Sequence, residues 1–200
     1  MPARLIIGGG IGTGKSAVCL HLAQRGFEVL EADRVGHAVL AEDPTVVGLV
    51  ALRWPETLVE GSIHRARLAR IVFEDSAQLR ELEAITHPVI RHRIRRWASD
   101  QEGRPAAVEI PVLADLTGPG WKRVTVDAPA AVRIGRLRGR GMSGHDIETR
   151  MAAQPTREEW ITVADVVLDN SGTPDMLEVQ VDSLVKRLAG SERRQEGAEQ

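Results

Sequence analysis

The sequence predicts an α/β protein built on a parallel sheet. Residues 5–7 form a short apolar run that ends in glycines, residues 16–24 show helical spacing, and residues 27–30 are apolar again. This order of strand, helix and strand is a βαβ unit, whose two strands run parallel in one sheet. Further strands are predicted from three later runs rich in β-branched residues, at 107–110, 124–126 and 163–168.

The composition is that of an ordinary globular protein. Of the 200 residues, 42% are hydrophobic and 27% are charged, with a formal net charge of -2, so a bulk nucleic-acid partner is not supported. The single cysteine, Cys19, excludes an internal disulfide framework and a multi-cysteine metal cage. No apolar run approaches the roughly 18 residues that a membrane span needs. We therefore expect a cytoplasmic protein with neither a nucleic-acid nor a membrane partner.

A long helical region is predicted between the second and third strands. Residues 34–104 show helical periodicity, with apolar residues from Leu79 to Trp97 at three- and four-residue intervals. Pro88 has no amide hydrogen and disfavours the helical conformation of the residue before it. We therefore expect one helix to end near Thr86 and another to begin at Pro88, with a corner between them.

Two further helices are predicted near the carboxyl end. The segment from Ser143 to Asp146 resembles a capping box that opens a helix, which Pro155 would close. Thr173 and Pro174 resemble an N-cap followed by a first-turn proline. The last helix then has one apolar face, formed by Leu177, Val181, Leu184, Val185 and Leu188.

A phosphate-binding loop (P-loop) follows the first predicted strand. Residues 9–16 fit the pattern of glycine, four residues, glycine, lysine and serine, and a helix is predicted directly afterwards. The glycines allow several N–H groups to point at a phosphate, and the helix N-terminus adds a favourable dipole. Lys15 would bind the β- and γ-phosphates, and Ser16 would ligate Mg²⁺.

Other nucleotide-binding classes fit less well. A GTPase reads guanine through an Asn-Lys-x-Asp loop, but the only asparagine, Asn170, is followed by a serine. A dinucleotide oxidoreductase needs a differently spaced glycine fingerprint. The sequence therefore favours a small phosphotransferase.

The order of several further motifs resembles the dephospho-CoA kinase family over about residues 5–185. The P-loop is common to many proteins, whereas the ordered set of motifs is specific. The matching segments are 9–16, 31–33, 82–88, 110–113, 136–140, 150–154 and 164–172. The positions that depart from the family's usual pattern are Ala17, Glu31 and Asp115.

The resemblance implies a P-loop, nucleotide-kinase-like fold. It implies ATP-dependent phosphorylation of the ribose 3′-hydroxyl of dephospho-CoA, the last step of coenzyme A biosynthesis, with Mg²⁺ as a further cofactor. On this interpretation residues 1–189 form a single kinase domain and residues 190–200 a frayed tail. The predicted parts of that domain are a core (1–33, 105–135 and 160–189), a helical CoA-binding region (34–104) and a mobile lid (136–159).

The matching segments supply the candidate site residues. The predicted ATP-binding residues are Gly9, Gly10, Ile11, Gly12, Thr13, Gly14, Lys15, Ser16, Ala17, Arg140, Arg150 and Asn170. The predicted dephospho-CoA-binding residues are Asp33, His87, Pro111 and Leu113. The candidate catalytic residues are Lys15, Asp33 and Arg140, and the candidate Mg²⁺ ligand is Ser16.

Asp33 has more than one possible role. It follows the strand at 27–30, so we expect it at the carboxyl edge of the sheet, where α/β proteins bind ligands. A carboxylate there could accept the proton of the acceptor hydroxyl or support Mg²⁺. It could also cap the helix predicted to follow it.

The remaining candidates also have structural alternatives. Arg140 and Arg150 suit phosphate oxygens in a closing lid, whereas Arg133 and Arg138 are interpreted as a solvated helix face. For Asn170 and its neighbours, the family implies contact with adenine, and a simple turn is the alternative. The alternatives for His87 are packing at a helix corner and contact with CoA.

Overall fold

A computed structural model describes residues 2–101 and 103–196, with the backbone alone from 191 to 196. In chain order the elements are β1 (Arg4–Gly8), α1 (Lys15–Gln24), β2 (Glu28–Glu31), α2 (Ala32–Glu42), α3 (Pro44–Arg53), a 3-10 turn (Pro55–Thr57), β3 (Leu58–Val59), β4 (Ser62–Ile63), α4 (Arg65–Glu74), α5 (Ser76–Ser99), β5 (Ala106–Glu109), β6 (Lys122–Asp127), α6 (Ala130–Gly139), α7 (Gly144–Ala152), α8 (Arg157–Thr162), β7 (Val166–Asp169) and α9 (Pro174–Glu196).

The chain divides into two compact units. The first comprises the described residues of Met1–Glu31 and Gln101–Gln200, and the second is Ala32–Asp100. The second unit therefore covers most of the helical region expected at 34–104. The roles expected for that region and for the lid at 136–159 stay predictions.

A five-stranded parallel sheet forms the centre of the first unit. Its strand order is β2-β5-β1-β6-β7. Ile7 of β1 lies between Glu109 of β5 and Val124 of β6 in the register. The predicted parallel sheet is confirmed, although β5 separates the two strands of the predicted βαβ unit. Because every strand runs the same way, all five carboxyl ends meet at one edge of the sheet, where α/β proteins bind ligands.

The main core of the first unit lies between the sheet and the helices α1 and α9. Alternate residues of a strand face the same side, so Leu5 and Ile7 are both buried there. The predicted apolar face of α9 is confirmed, because four of its members are buried and Val185 is partly buried: Leu177, Val181, Leu184 and Leu188.

The second unit is helical, as predicted, but it also contains a β-hairpin. Helix α5 packs against α2, α3 and α4. The hairpin pairs β3 with β4 through a two-residue turn of Glu60 and Gly61, whose φ angles are 49° and 79°. Two positive φ angles match the twist of paired strands. This hairpin was not predicted from the sequence, because its strands are two residues long and Glu60 is an unusual residue for such a turn.

Helices α2 and α3 meet at a sharp bend. No helix among the described residues is by itself long and apolar enough to cross a bilayer. The length and composition requirement is met only by α2 and α3 taken together, and they are bent by 76° at their junction.

The corner predicted at Pro88 is wrong. Helix α5 runs without interruption through Pro88, from Ser76 to Ser99. A proline inside a helix costs about 3 kcal/mol because one hydrogen bond is lost and the ring crowds the preceding turn. Packing on both sides of the proline offsets this cost, since Thr86 and Ile90 are both buried. His87 therefore lies within a helix and not at a corner.

The two later helix starts are confirmed. The Ser143 hydroxyl accepts a hydrogen bond from the Asp146 N–H at 3.1 Å, and α7 ends three residues before Pro155. The Thr173 hydroxyl accepts from the Met176 N–H at 3.4 Å, at the start of α9.

The predicted frayed tail is wrong for residues 190–196. Helix α9 continues through residues 190–196. The rest of the predicted tail, residues 197–200, lies outside the described residues.

Candidate active site

The P-loop joins β1 to α1 at the carboxyl edge of the sheet, as predicted. Gly9 has a φ of 136°, and a Cβ atom there would overlap the Val126 carbonyl oxygen. Gly14 has a φ of 101° and directly precedes α1, and a Cβ atom there would overlap the side-chain amide of Asn170. Both positions require glycine, because the backbone is left-handed and neighbouring groups approach it closely.

Two side chains bind the Thr13 carbonyl group from outside the loop. Asn170 donates from Nδ2 to the Thr13 carbonyl oxygen at 2.7 Å, and Arg136 donates to it from Nη1 at 3.2 Å. Arg136 also donates to the Gly12 carbonyl oxygen at 3.4 Å and from Nη2 to the Asn170 carbonyl oxygen at 2.8 Å. The Asn170 side chain is therefore buried and bound to the loop, and its predicted contact with adenine stays a prediction.

Arg133 binds the loop at a third position. Its Nε donates to the Ile11 carbonyl oxygen at 2.8 Å. The interpretation of Arg133 as part of a solvated helix face is therefore wrong, because the tertiary structure lays the loop against α6. We refer to Arg133, Arg136 and Asn170 together as the loop clasp.

The loop clasp controls the direction of the loop's N–H groups. In a trans peptide the carbonyl and the following N–H point in opposite directions. Because the carbonyls of Ile11 and Thr13 bind the clasp, the N–H groups of Gly12 and Gly14 face away from it. Within the described part of the chain, the N–H groups of Gly12, Gly14 and Ser16 have no acceptor. Together with the dipole of α1, they form a site for an anion.

Lys15 folds back over the loop that contains it. Its Nζ donates to the carbonyl oxygens of Gly9 at 3.0 Å and Gly10 at 3.3 Å. These contacts hold the ammonium group on the loop, where it adds positive charge to the anion site. The predicted phosphate-binding role of Lys15 is compatible with this position.

Glu109 lies beside Ser16, and sequence reasoning missed it as a site residue. It is the last residue of β5, and the Ser16 hydroxyl donates to its Oε2 at 3.4 Å. Burial raises the pKa of Glu109, while the positive charge of Lys15 opposes this shift. An acidic residue that ends a buried parallel strand was the available signal, because it must lie at the ligand-binding edge.

The oxygen atoms of Ser16 and Glu109 fit a magnesium site of the kind that nucleotides complete. Mg²⁺ prefers oxygen ligands and is usually held by one or two protein groups, substrate phosphates and water. No cluster of three or more His, Cys, Asp and Glu side chains suited to a metal ion occurs among the described residues. The arrangement therefore does not resemble a metal cage made by protein alone.

Cys19 is buried one turn along α1, as predicted. Burial raises the pKa of its thiol well above the usual range, and the negative charge of Glu109 raises it further. A thiol that stays protonated is a poor nucleophile. Cys19 is therefore a packing residue.

Arg140 and Arg150 lie in different surroundings from the loop clasp. Arg140 follows α6, and Arg150 is in the last turn of α7. Both are exposed, and neither guanidinium group makes a hydrogen bond or ion pair with the described residues. The same holds for Arg138. These guanidinium groups are available to bind an anion from solution.

The predicted acceptor-binding residues lie in several elements. Asp33 is exposed in the first turn of α2, two residues beyond the end of β2. His87 is half-buried within α5. Pro111 and Leu113 are half-buried in the irregular segment after β5. Their contacts with a substrate stay predictions.

The chain is similar to known enzymes over almost its whole length. The family model described as dephospho-CoA kinase matches residues 5–175. A dephospho-CoA kinase of Xanthomonas euvesicatoria is 38% identical, over 92% of this chain and 95% of the relative. One from Deinococcus radiodurans is also 38% identical, over 94% of this chain and 93% of the relative.

Solved structures share the fold. A protein from Thermus thermophilus is 33% identical and superposes with a TM-score of 0.79, covering 94% of this chain and 98% of its own. A dephospho-CoA kinase from Campylobacter jejuni has a TM-score of 0.70 at 22% identity, over 96% of this chain and 100% of its own. The fold is that of the P-loop kinases, and the chain belongs to the dephospho-CoA kinase family.

Proposed function

We propose that this protein transfers the terminal phosphoryl group of ATP to the ribose 3′-hydroxyl of dephospho-CoA, which completes coenzyme A. Membership of the family supports dephospho-CoA as the acceptor. The observation that supports ATP as the phosphoryl donor is the anion site of the P-loop. There the loop clasp binds the carbonyls of Ile11 and Thr13, so the N–H groups of Gly12 and Gly14 point away from the clasp.

The loop acts on phosphate charge. In phosphoryl transfer, negative charge spreads over the oxygens of the transferring group, and catalysis is mainly positioning and electrostatic stabilisation. The free N–H groups of the loop hold the phosphate chain, and the Lys15 ammonium stabilises the charge. Because Lys15 already lies on the loop, little reorganisation is needed when ATP binds.

The proposed magnesium site uses Ser16 and Glu109. When bound with the nucleotide, Mg²⁺ would neutralise charge on the β- and γ-phosphates. The Ser16 hydroxyl would supply one ligand oxygen, and Glu109 would accept a hydrogen bond from a bound water or supply a second oxygen.

Asp33 is the residue proposed to bind the acceptor hydroxyl. Its carboxylate would orient the 3′-hydroxyl and accept its proton, and residues 34–104 stay the predicted CoA-binding region. Arg140 and Arg150 would bind the transferring phosphoryl group from the segment predicted to act as a lid. Both side chains are exposed and have no partner within the described ranges, which supports this role.

The test is a coupled assay of ADP release with and without dephospho-CoA. We expect ADP to form only when the acceptor is present, and the product to carry a phosphate at the 3′ position, as read by phosphorus NMR. A panel of nucleosides, nucleoside monophosphates and shikimate provides the comparison. Faster transfer to one of these would identify another small-molecule kinase. ATP binding with no acceptor-dependent ADP release would instead indicate a regulatory protein.

Asp33→Asn tests the acceptor side separately, because asparagine keeps the shape of the side chain and removes its charge. If Asp33 accepts the proton, kcat should fall by about 10²–10⁴-fold with ATP affinity nearly unchanged. A smaller loss would fit a loose transition state, in which little proton removal precedes bond formation. Partial rescue by added magnesium would indicate a metal-binding role instead. Full activity at ordinary magnesium would contradict any catalytic role.

A further inference from the structure

The segment between α7 and α8 contacts the P-loop through one side chain. Gln154 lies just after α7, and its Oε1 accepts a hydrogen bond from the Ile11 N–H at 2.6 Å. Its backbone continues the helical turn, since the Gln154 N–H lies 3.4 Å from the Met151 carbonyl oxygen. The side chain is half-buried against the loop. The segment that carries Arg150 therefore reaches the loop directly.

This contact fixes the orientation of the Gln154 amide. A backbone N–H can only donate, so the side-chain oxygen must face Ile11, and the NH₂ group must occupy the other branch. The two branches of an amide are about 2.2 Å apart, so Nε2 lies within about 5 Å of the Ile11 nitrogen. Two N–H donors are therefore held at the surface of the P-loop.

These donors have no acceptor among the described residues. Within the part of the chain that the structure describes, Nε2 of Gln154 makes no hydrogen bond. Fixing a long glutamine side chain costs rotamer entropy that one neutral hydrogen bond barely offsets. A second partner for the amide would make this conformation favourable. The partner must supply an acceptor atom, because only donors remain.

The surroundings favour an anionic acceptor. The N–H groups of Gly12 and Gly14 and the Lys15 ammonium already make the loop a site for phosphate oxygens. Arg150 precedes Gln154 by four residues, which is about one helical turn, and its guanidinium has no partner in the described part of the chain. An amide NH₂ group beside these cations suits a phosphoryl oxygen.

We propose that Gln154 contacts the bound nucleotide, donating from Nε2 to a phosphoryl oxygen while Oε1 keeps its hydrogen bond with Ile11. The inference rests on the proposed function for the nucleotide itself, and it adds a residue to which no role has been assigned above. Gln154 then links the predicted lid to both the P-loop and the nucleotide. A mere positioning residue for the loop would need only Oε1.

Three variants separate these roles. Gln154→Glu keeps an oxygen for Ile11 but replaces the donors with negative charge, and Gln154→Met keeps the length and removes both functions. Gln24→Glu, at the opposite end of α1 from the loop, makes the same charge change at an exposed position whose side chain makes no hydrogen bond with the described residues. It controls for net charge.

The measurements are ATP and ADP affinity by calorimetry and the side-chain ¹⁵N–¹H resonances of Gln154, assigned by their loss in Gln154→Met. We expect Gln154→Glu to weaken ATP binding by about 10- to 100-fold, at least as much as Gln154→Met, and Gln24→Glu to leave it unchanged. The amide resonances should shift with ADP or ATP and stay in place with adenosine.

Near-normal affinity in Gln154→Glu, or amide resonances that do not respond to ADP and ATP, would overturn the inference. These outcomes differ from failure of the proposed function. A wild-type protein that binds no ATP would contradict the nucleotide site as a whole, whereas normal ATP binding with an unresponsive Gln154 amide contradicts the Gln154 contact alone.

Discussion

Two groups of arginines in the first unit differ in what they bind. Arg133 and Arg136 are half-buried, and their guanidinium groups bind P-loop carbonyls. Arg140 and Arg150 are exposed and have no partner among the described residues. The first pair shapes the loop before any ligand arrives. The second pair keeps its charge available for a ligand, so the same residue type serves structure in one group and binding in the other.

Burial explains why the guanidinium groups of the first pair bind carbonyl groups of the protein. Removal from water lowers the pKa of Arg133, because the charged form loses solvation, and the nearby Asp127 opposes this shift. A buried guanidinium needs hydrogen-bond acceptors. The Ile11 carbonyl supplies one, so Arg133 is held in place. Exposed arginines meet no such requirement, since water solvates them.

The largest effect is expected for Lys15→Ala, which removes a loop cation that should both hold the loop and act on the transferring phosphoryl group. We expect kcat to fall by at least about 10³-fold while the protein stays folded, because a half-exposed lysine contributes little packing. Circular dichroism and the coupled assay provide the measurements, and Lys122→Ala, at an exposed strand start, is the control. Normal turnover in a folded Lys15→Ala protein would refute the nucleotide site.

Arg136→Ala tests the group bound to the loop. Loss of the hydrogen bonds to Thr13 and Asn170 should lower the free energy of unfolding by about 1–3 kcal/mol. It should also weaken ATP binding by about 10-fold, because one of the two hydrogen bonds that hold the Thr13 carbonyl, and with it the direction of the Gly14 N–H, is lost. Thermal unfolding and calorimetry measure the two effects. Arg138→Ala, on the same helix, should change neither, because the Arg138 side chain has no partner among the residues that the structure describes. Unchanged ATP affinity in Arg136→Ala would disprove the orienting role.

Arg140→Ala tests the unpaired group. We expect kcat to fall by about 10²-fold, with ATP affinity and thermal stability close to those of the wild type, because this arginine acts on charge in the closed state. Separate measurement of kcat and the ATP dissociation constant distinguishes the two effects. Weaker ATP binding with unchanged kcat would instead show that Arg140, like Arg136, contributes to ATP binding and not to phosphoryl transfer.

Glu109→Gln extends the comparison to the acidic group beside the loop. The folded protein raises the pKa of Glu109 above its ordinary value of 4.5, so ionisation opposes folding. The contribution of this group to the free energy of unfolding is therefore most favourable while the carboxyl is protonated. It falls as the pH rises through the range just above 4.5, where the carboxyl ionises. We therefore expect Glu109→Gln to raise Tm at pH 7 by about 2 °C or less, with the difference shrinking below pH 4.5.

The same variant should weaken the response to magnesium. If Glu109 supports the metal, the magnesium concentration for half-maximal activity should rise about 10-fold. Glu74→Gln, at the exposed end of α4, is a matched charge control, because its side chain makes no hydrogen bond or ion pair with the described residues. A lower Tm at pH 7 for Glu109→Gln would show that the carboxylate stabilises the fold, which contradicts the direction of its pKa shift.

The sequence by itself determined the features that depend on neighbouring residues. The P-loop, the strand before it and the helix after it follow from glycine spacing and apolar periodicity, and Thr173 begins α9 as a local cap. Arg140 and Arg150 were identified from their motifs, and their exposure agrees with a ligand-binding role. Such patterns are short-range, so they need no knowledge of distant contacts.

Only the tertiary structure decided features that depend on residues far apart in the chain. Helix α5 continues through Pro88 because packing by other helices outweighs a local penalty. Arg133 binds a loop 122 residues earlier, and Glu109 meets Ser16 because β5 pairs beside β1. The role of such a side chain depends on the distant residues that folding brings beside it. Those partners cannot be identified from local sequence patterns alone.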